Sequence, residues 1–194
     1  MQGSAIGWYG VPVGAPLGEG PHTEDDPAGS DFLADLCRQW EAAAQPAIDA
    51  GFRVAYARTA IVIDGSGGAF KLLRVPFTLG MGVVLGSGQQ HFPLLSLRDW
   101  LAAITWMVET PDAEGPYNLT IPSPVNNADF SRALAERLHR PLLIKAPERV
   151  LRQVLGPMAD QLVGDQHVVP QRLLESGFAF TDATATAVID AAVS

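Results

Sequence analysis

Cysteine occurs once, at Cys37, so an internal disulfide is excluded and a reducing compartment, the cytoplasm by default, is the expected setting. Lysine occurs only at Lys71 and Lys145. The 13 basic residues are scattered and face 21 acidic ones, a net charge of -8. The electrostatic footprint of a nucleic-acid binder is therefore absent, and an acidic membrane surface is an unattractive partner. No run of about 18 apolar residues offers a membrane span, and the N-terminus lacks the basic region and apolar run of a signal peptide. The four histidines, His22, His91, His139 and His167, form no i, i+4 pair, so no metal site is expected.

What is present is a chain of 194 residues, 47% hydrophobic and 18% charged, enough for one sizeable core. A proline- and glycine-rich acidic loop is expected over residues 11–29. Ser30 offers an N-cap, and Phe32, Leu36, Trp40, Ala43 and Ala47 recur at helical spacing, predicting a helix over 31–49 that Pro46 ends or kinks. Residues 52–63 read as a buried strand of a parallel sheet. A turn at 64–68, a short helix before Pro76 and an irregular, pocket-shaping excursion at 80–90 follow. Further expectations are a strand over 92–97, a helix capped by Asp99, a strand at 117–121, and a helix from Asn127. Beyond these come a strand at 142–145, a helix opened by Pro147, short pieces through 158–175, and a last helix capped by Thr181. No repeat or interdomain linker is visible.

The stretch from Ser4 to Gly10 combines a hydroxyl, two glycines and two aromatics, a composition that suits a strand end facing a cofactor. Ser4 lacks the Gly-x-Ser-x-Gly setting of a hydrolase nucleophile, and Cys37 sits in an amphipathic helix where a small buried residue is expected. Glu24, Asp25 and Asp26 could serve as acid/base groups, but an acidic loop is ordinarily just solvated. Residues 64–68 lack the lysine and hydroxyl spacing of a phosphate loop. Taken alone, these residues form no self-sufficient catalytic constellation.

The ordered series Ser4-Ala-x-Gly-x-Tyr-Gly, Thr23-Glu24, Trp40-Glu41, Arg58-Thr59, Gly67-Gly68-Ala69, Pro76-Phe77 and Leu85-Gly-Ser-Gly-Gln89 resembles one family. So do Gly115-Pro-x-Asn118-Leu, Asn127-x-x-Phe130 and Pro170-x-x-Leu173-x-x-x-Gly177-Phe-x-Phe180. They are similar to the epimerase-like proteins of the atypical, extended short-chain dehydrogenase/reductase superfamily, of the NAD-dependent epimerase/dehydratase type with a C-terminal domain of unknown function. The resemblance implies an α/β, Rossmann-like fold, NAD or NADP as cofactor and a small-molecule substrate.

In that family a glycine-rich nucleotide loop precedes the serine motif. The expectation is therefore an incomplete Rossmann-like chain, the C-terminal half of the parallel sheet with its N-terminal nucleotide-binding part missing, plus a small C-terminal α/β region. Residues 1–121 would hold the Rossmann-like remainder, with a substrate-loop excursion at 64–98, and residues 122–194 the C-terminal domain. Implied partners are an upstream-encoded nucleotide-binding half or a second copy of the chain. A non-catalytic binding or interaction module is the alternative. By resemblance, Ser4 and Tyr9 take catalytic positions, Thr59 and Ala60 contact the cofactor, and Gly86, Ser87, Gly88 and Gln89 face the substrate. The superfamily's Tyr-x-x-x-Lys pair is replaced by Cys37-x-x-x-Glu41.

Overall fold

The computed structural model describes residues 1–11 and 20–193. The expected loop at 11–29 therefore falls partly outside the described residues. The chain opens with β1 (Gln2–Ala5) and a 3-10 turn (Ile6–Tyr9), followed by α1 (Phe32–Ala42), α2 (Gln45–Asp49), β2 (Ala55–Thr59), β3 (Ile61–Ile63), α3 (Gly68–Thr78) and β4 (Gly82–Leu85). Next come β5 (Leu94–Ser96), α4 (Leu97–Glu109), β6 (Gly115–Leu119), α5 (Asn127–Arg137) and β7 (Leu142–Ala146). The chain closes with α6 (Glu148–Leu155), a second 3-10 turn (Gly156–Ala159), α7 (Asp160–Val163), α8 (Gln171–Glu175) and α9 (Ala185–Val193).

Among the described residues the strands form three parallel sheets, in the orders β1-β2-β6, β3-β5 and β4-β7. Helices and strands thus run across the whole described chain, which corrects the expectation of an incomplete fold confined to the C-terminal half of one sheet. The division arises because the backbone changes partner at Ala60. Its amide donates to Leu119 O at 3.0 Å, whereas the next amide, Ile61, donates to Pro93 O at 3.4 Å. The predicted single strand over 52–63 is accordingly two, one beside β6 and one beside β5.

Three other differences have local causes. The expected 31–49 helix divides into α1 and α2, because Pro46 lacks an amide hydrogen and takes a place in the first turn of the second helix. Asp31 caps α1 by accepting from Ala34 N at 2.9 Å, and the buried face runs through Ala34, Cys37 and Glu41, leaving Phe32 77% exposed. The excursion at 80–90 contains β4, whose Val83 and Val84 pair with Ile144 and Lys145. Gly82 there marks a close approach, since a Cβ would lie 2.6 Å from Pro141 O.

The main core gathers Phe70, Phe92, Leu94, Met107, Leu119, Phe130, Leu134, Leu173 and Ile189 from nearly every element between β2 and α9. The tail is fastened to α4, where Ser96 is the cap and the Asp99 carboxylate accepts from Thr181 N and Asp182 N at 2.9 and 2.7 Å. Thr184, rather than Thr181, caps α9 by accepting from Ala187 N. Among the described residues, no helix is long and apolar enough to cross a membrane.

Candidate functional site

Register builds the first part of the site. In the three-stranded sheet Ser4 lies beside Arg58, and Arg58 beside Asn118, so one row carries a hydroxyl, a guanidinium and an amide. All three are buried, and each finds a partner, as buried polar groups require. Ser4 Oγ donates to Glu41 Oε1 at 2.7 Å. Arg58 grips the same carboxylate twice, Nε to Oε1 at 2.9 Å and Nη2 to Oε2 at 3.1 Å. This bidentate geometry makes a strong charge-assisted pair. Its guanidinium also lies over the Trp8 ring, 3.9 Å from the centroid.

The network continues through Tyr9, whose hydroxyl accepts from Arg58 Nη1 at 3.1 Å and donates to Asn118 Oδ1 at 2.8 Å. Asn118 N then donates to Glu24 Oε1 at 2.9 Å, and Arg172 N to the other Glu24 oxygen at 3.3 Å. Glu24 is therefore a buried acceptor, in contrast to the solvated acid expected of its loop. Burial raises its pKa, against the opposing pull of those backbone donors. Burial also pushes the Tyr9 phenol up to about 12, although Arg58 draws it down. Tyr9 is held as a neutral phenol at ordinary pH.

A cavity of about 200 Å³ opens at the carboxyl ends of β1 and β2. One wall is the chain just past β1, Ala5 to Gly7; a second is Thr59 to Ile61, where the backbone changes sheets. The third is one stripe of α1, Leu33, Leu36, Cys37 and Trp40, at i, i+3, i+4 and i+7. Gln161 and Gln166, from the segment after α6, complete the lining. No described lining residue is charged. The Cys37 thiol donates to Ala5 O at 3.6 Å, and burial raises its pKa.

Thr59 and Ala60 thus lie on the cavity, with Thr59 Oγ1 accepting from Trp100 Nε1 at 3.2 Å. Ser4 and Tyr9 lie in the polar network and do not line the cavity. Gly86 to Gln89 form the turn after β4. There Gly88, at φ +81°, has no room for a Cβ between Val84 and Ala128, and Ser87 and Gln89 are exposed. This turn acts on the cavity at one remove. Ser87 Oγ donates to Gln90 Oε1, and Gln90 Nε2 donates to Leu85 O and Leu162 O, holding the helix that carries Gln161.

Asn118, Gln161 and Gln166 are not among the residues expected at the site, Glu24 was expected mainly as a solvated acid, and the pairing of Glu41 with Arg58 was not expected. The available signal was an arginine, Arg58, in the middle of an apolar strand and a glutamate four residues beyond Cys37 on the same helix face. Buried charges of that kind require a partner.

The architecture has known counterparts. Residues 146–192 match the family model described as Domain of unknown function (DUF1731). The epimerase family protein Mb2239 of Mycobacterium bovis is 38% identical over 182 residues, covering 93% of this chain and 58% of that protein. The human epimerase family protein SDR39U1 (isoform 2), solved with NADPH, shares 28% identity at a TM-score of 0.87, covering 98% of this chain and 63% of that one. The chain is thus similar to epimerase-family proteins over nearly its whole length. The nucleoside-diphosphate sugar epimerase of Corynebacterium glutamicum has the same fold at a TM-score of 0.78 and 30% identity, covering 98% of this chain and 36% of that one.

The chain spans 58% of the Mycobacterium bovis relative's length. The expectation of a family remnant lacking its N-terminal nucleotide-binding part is corrected by these matches, because an epimerase-family, Rossmann-type fold covers nearly the whole chain.

Proposed function

We propose that this chain serves NAD(P)-dependent epimerase or oxidoreductase chemistry on a small molecule, at the cavity formed by the ends of β1 and β2. The observation that carries the reading is the position of that cavity outside the carboxyl ends of adjacent parallel strands, where open α/β sheets hold their ligands. The human relative solved with NADPH supports the cofactor.

The lining fits the nicotinamide end of such a cofactor. Ile6, Leu33, Leu36 and Ile61 supply apolar walls for a flat ring, and the Gln161 and Gln166 amide nitrogens are buried without a hydrogen-bond partner. In this reading Thr59 and Ala60 contact the ring. When bound, NAD(P) supplies a hydride acceptor or donor. Ser4 and Tyr9 work through the network: they fix Glu41 and Arg58, and with them the strand ends that border the cavity. Gly86 to Gln89 hold the segment of Gln161 in place.

The test uses Trp40, which stands on the cavity wall. Titrating the chain with NADPH and NADH is expected to change tryptophan fluorescence saturably, and Ala60→Trp, which fills the cavity, is expected to abolish the change in a chain that still unfolds cooperatively. Absence of a saturable change with either nucleotide at millimolar concentration sinks the reading.

A further inference from the structure

Two glutamines on the cavity stand out for their buried amide nitrogens. Gln166 is 5% exposed, and its Nε2 has no hydrogen-bond partner among the described residues. Gln161 Nε2 is likewise buried and unpartnered. Both residues border the same cavity, and both belong to the 146–192 segment whose family model has no assigned role. Leaving a buried amide donor unpaired destabilises the fold, so two such donors on one cavity mark a place where an acceptor belongs.

The rest of the lining says what kind of acceptor. It holds no charged side chain among the described residues, so nothing there compensates a phosphate or a carboxylate, whose desolvation in an apolar cavity is costly. Neutral amide donors against Ile6, Leu33, Leu36 and Ile61 match an uncharged, largely apolar group that carries an oxygen acceptor. Discrimination by such a site is steep, because a ligand without the oxygen leaves the donors unpaired.

We infer that Gln161 and Gln166 are specificity-determining residues that bind the carbonyl or hydroxyl oxygen of an uncharged small group, and that the C-terminal segment contributes them to the cavity. The inference rests on the cavity being the ligand site. Two sources can supply that chemistry, the carboxamide of a nicotinamide ring and the carbonyl of a substrate.

The experiment follows the side-chain amide signals of Gln161 and Gln166 by ¹H–¹⁵N NMR, assigned through Gln161→Met and Gln166→Met, during titration with nicotinamide, cyclohexanone and cyclohexanecarboxylate. Saturable shifts of both signals with nicotinamide identify the cofactor as the source, and with cyclohexanone the substrate. The proposal expects no saturable shift with the anion, at least tenfold weaker binding of the responding probe to each Met variant, and unfolding midpoints of the variants equal to or above the parent's. Equal binding to parent and variants, a response to the anion as strong as to the neutral probes, or no response to any probe overturns it. So does a lowered midpoint in both variants, which shows amides already satisfied by the fold. Cyclohexanone shifts without any NADPH or NADH response separate the fate of this inference from that of the cofactor reading.

Discussion

Two polar regions flank the ends of β1 and β2, and they are opposites. In the network of Ser4, Glu41, Arg58, Tyr9, Asn118 and Glu24, each side chain finds partners inside the protein. On the cavity side, Gln161 and Gln166 keep buried amide nitrogens without partners. The residues with the most conspicuous chemistry are thus the ones whose hydrogen bonds are already used. The plain, neutral cavity is the place with capacity left for a ligand. A buried charge is tolerated only when paired, so charged and hydroxylic residues drift toward structural roles unless something holds them open.

The contrast is broken most severely at Arg58. Arg58→Met strands the Glu41 carboxylate in a buried site, and stability measured by denaturant unfolding is expected to fall by about 3–5 kcal/mol. A loss within experimental error shows that the pair contributes nothing to the fold.

Tyr9→Phe removes one acceptor and one donor from the middle of the network and is expected to cost about 1–2 kcal/mol. It also carries a pH signature. Because burial raises the Tyr9 pKa from 10.0 to about 12, the folded state favours the neutral phenol. Its contribution is fully present below pH 10 and is lost as pH rises toward 12. Stability of the parent chain should therefore decline across that window more steeply than that of Tyr9→Phe. Parallel curves for the two chains contradict the assignment.

The smallest effect belongs to the cavity side. A Cβ at Gly7 would meet Leu33 Cβ at 3.4 Å and Cys37 Sγ at 3.6 Å, ordinary contacts. Gly7→Ala should leave stability unchanged or raise it by about 0.5 kcal/mol while narrowing the cavity, so that cofactor binding weakens without loss of fold. Marked destabilisation by this methyl group would place Gly7 among the structural residues.

Much of the fold was legible because the signals are local. Gln171–Glu175 forms the helix expected of it, and the order of helices and strands from β5 to α9 follows from caps, prolines and apolar spacing. The misjudged pieces depend on distant partners. The face of α1 was misread because Glu41 counts as a buried residue only once Arg58 stands opposite it. Thr59 and Ala60 were reached through a family motif and lie on the cavity wall. Gln161 and Gln166 carry no motif, and an amide in a polar-looking tail is ordinarily solvated.

By itself the sequence determined the elements, their order and the absence of a basic patch, because propensity, capping and charge act over a few residues. Tertiary structure alone decided that Ser4, Arg58 and Asn118 share one row, that the backbone changes sheets at Ala60, and that two glutamines from the far end of the chain close a cavity beside them. Pairing register and long-range packing bring together residues more than a hundred positions apart, and no local pattern encodes that distance.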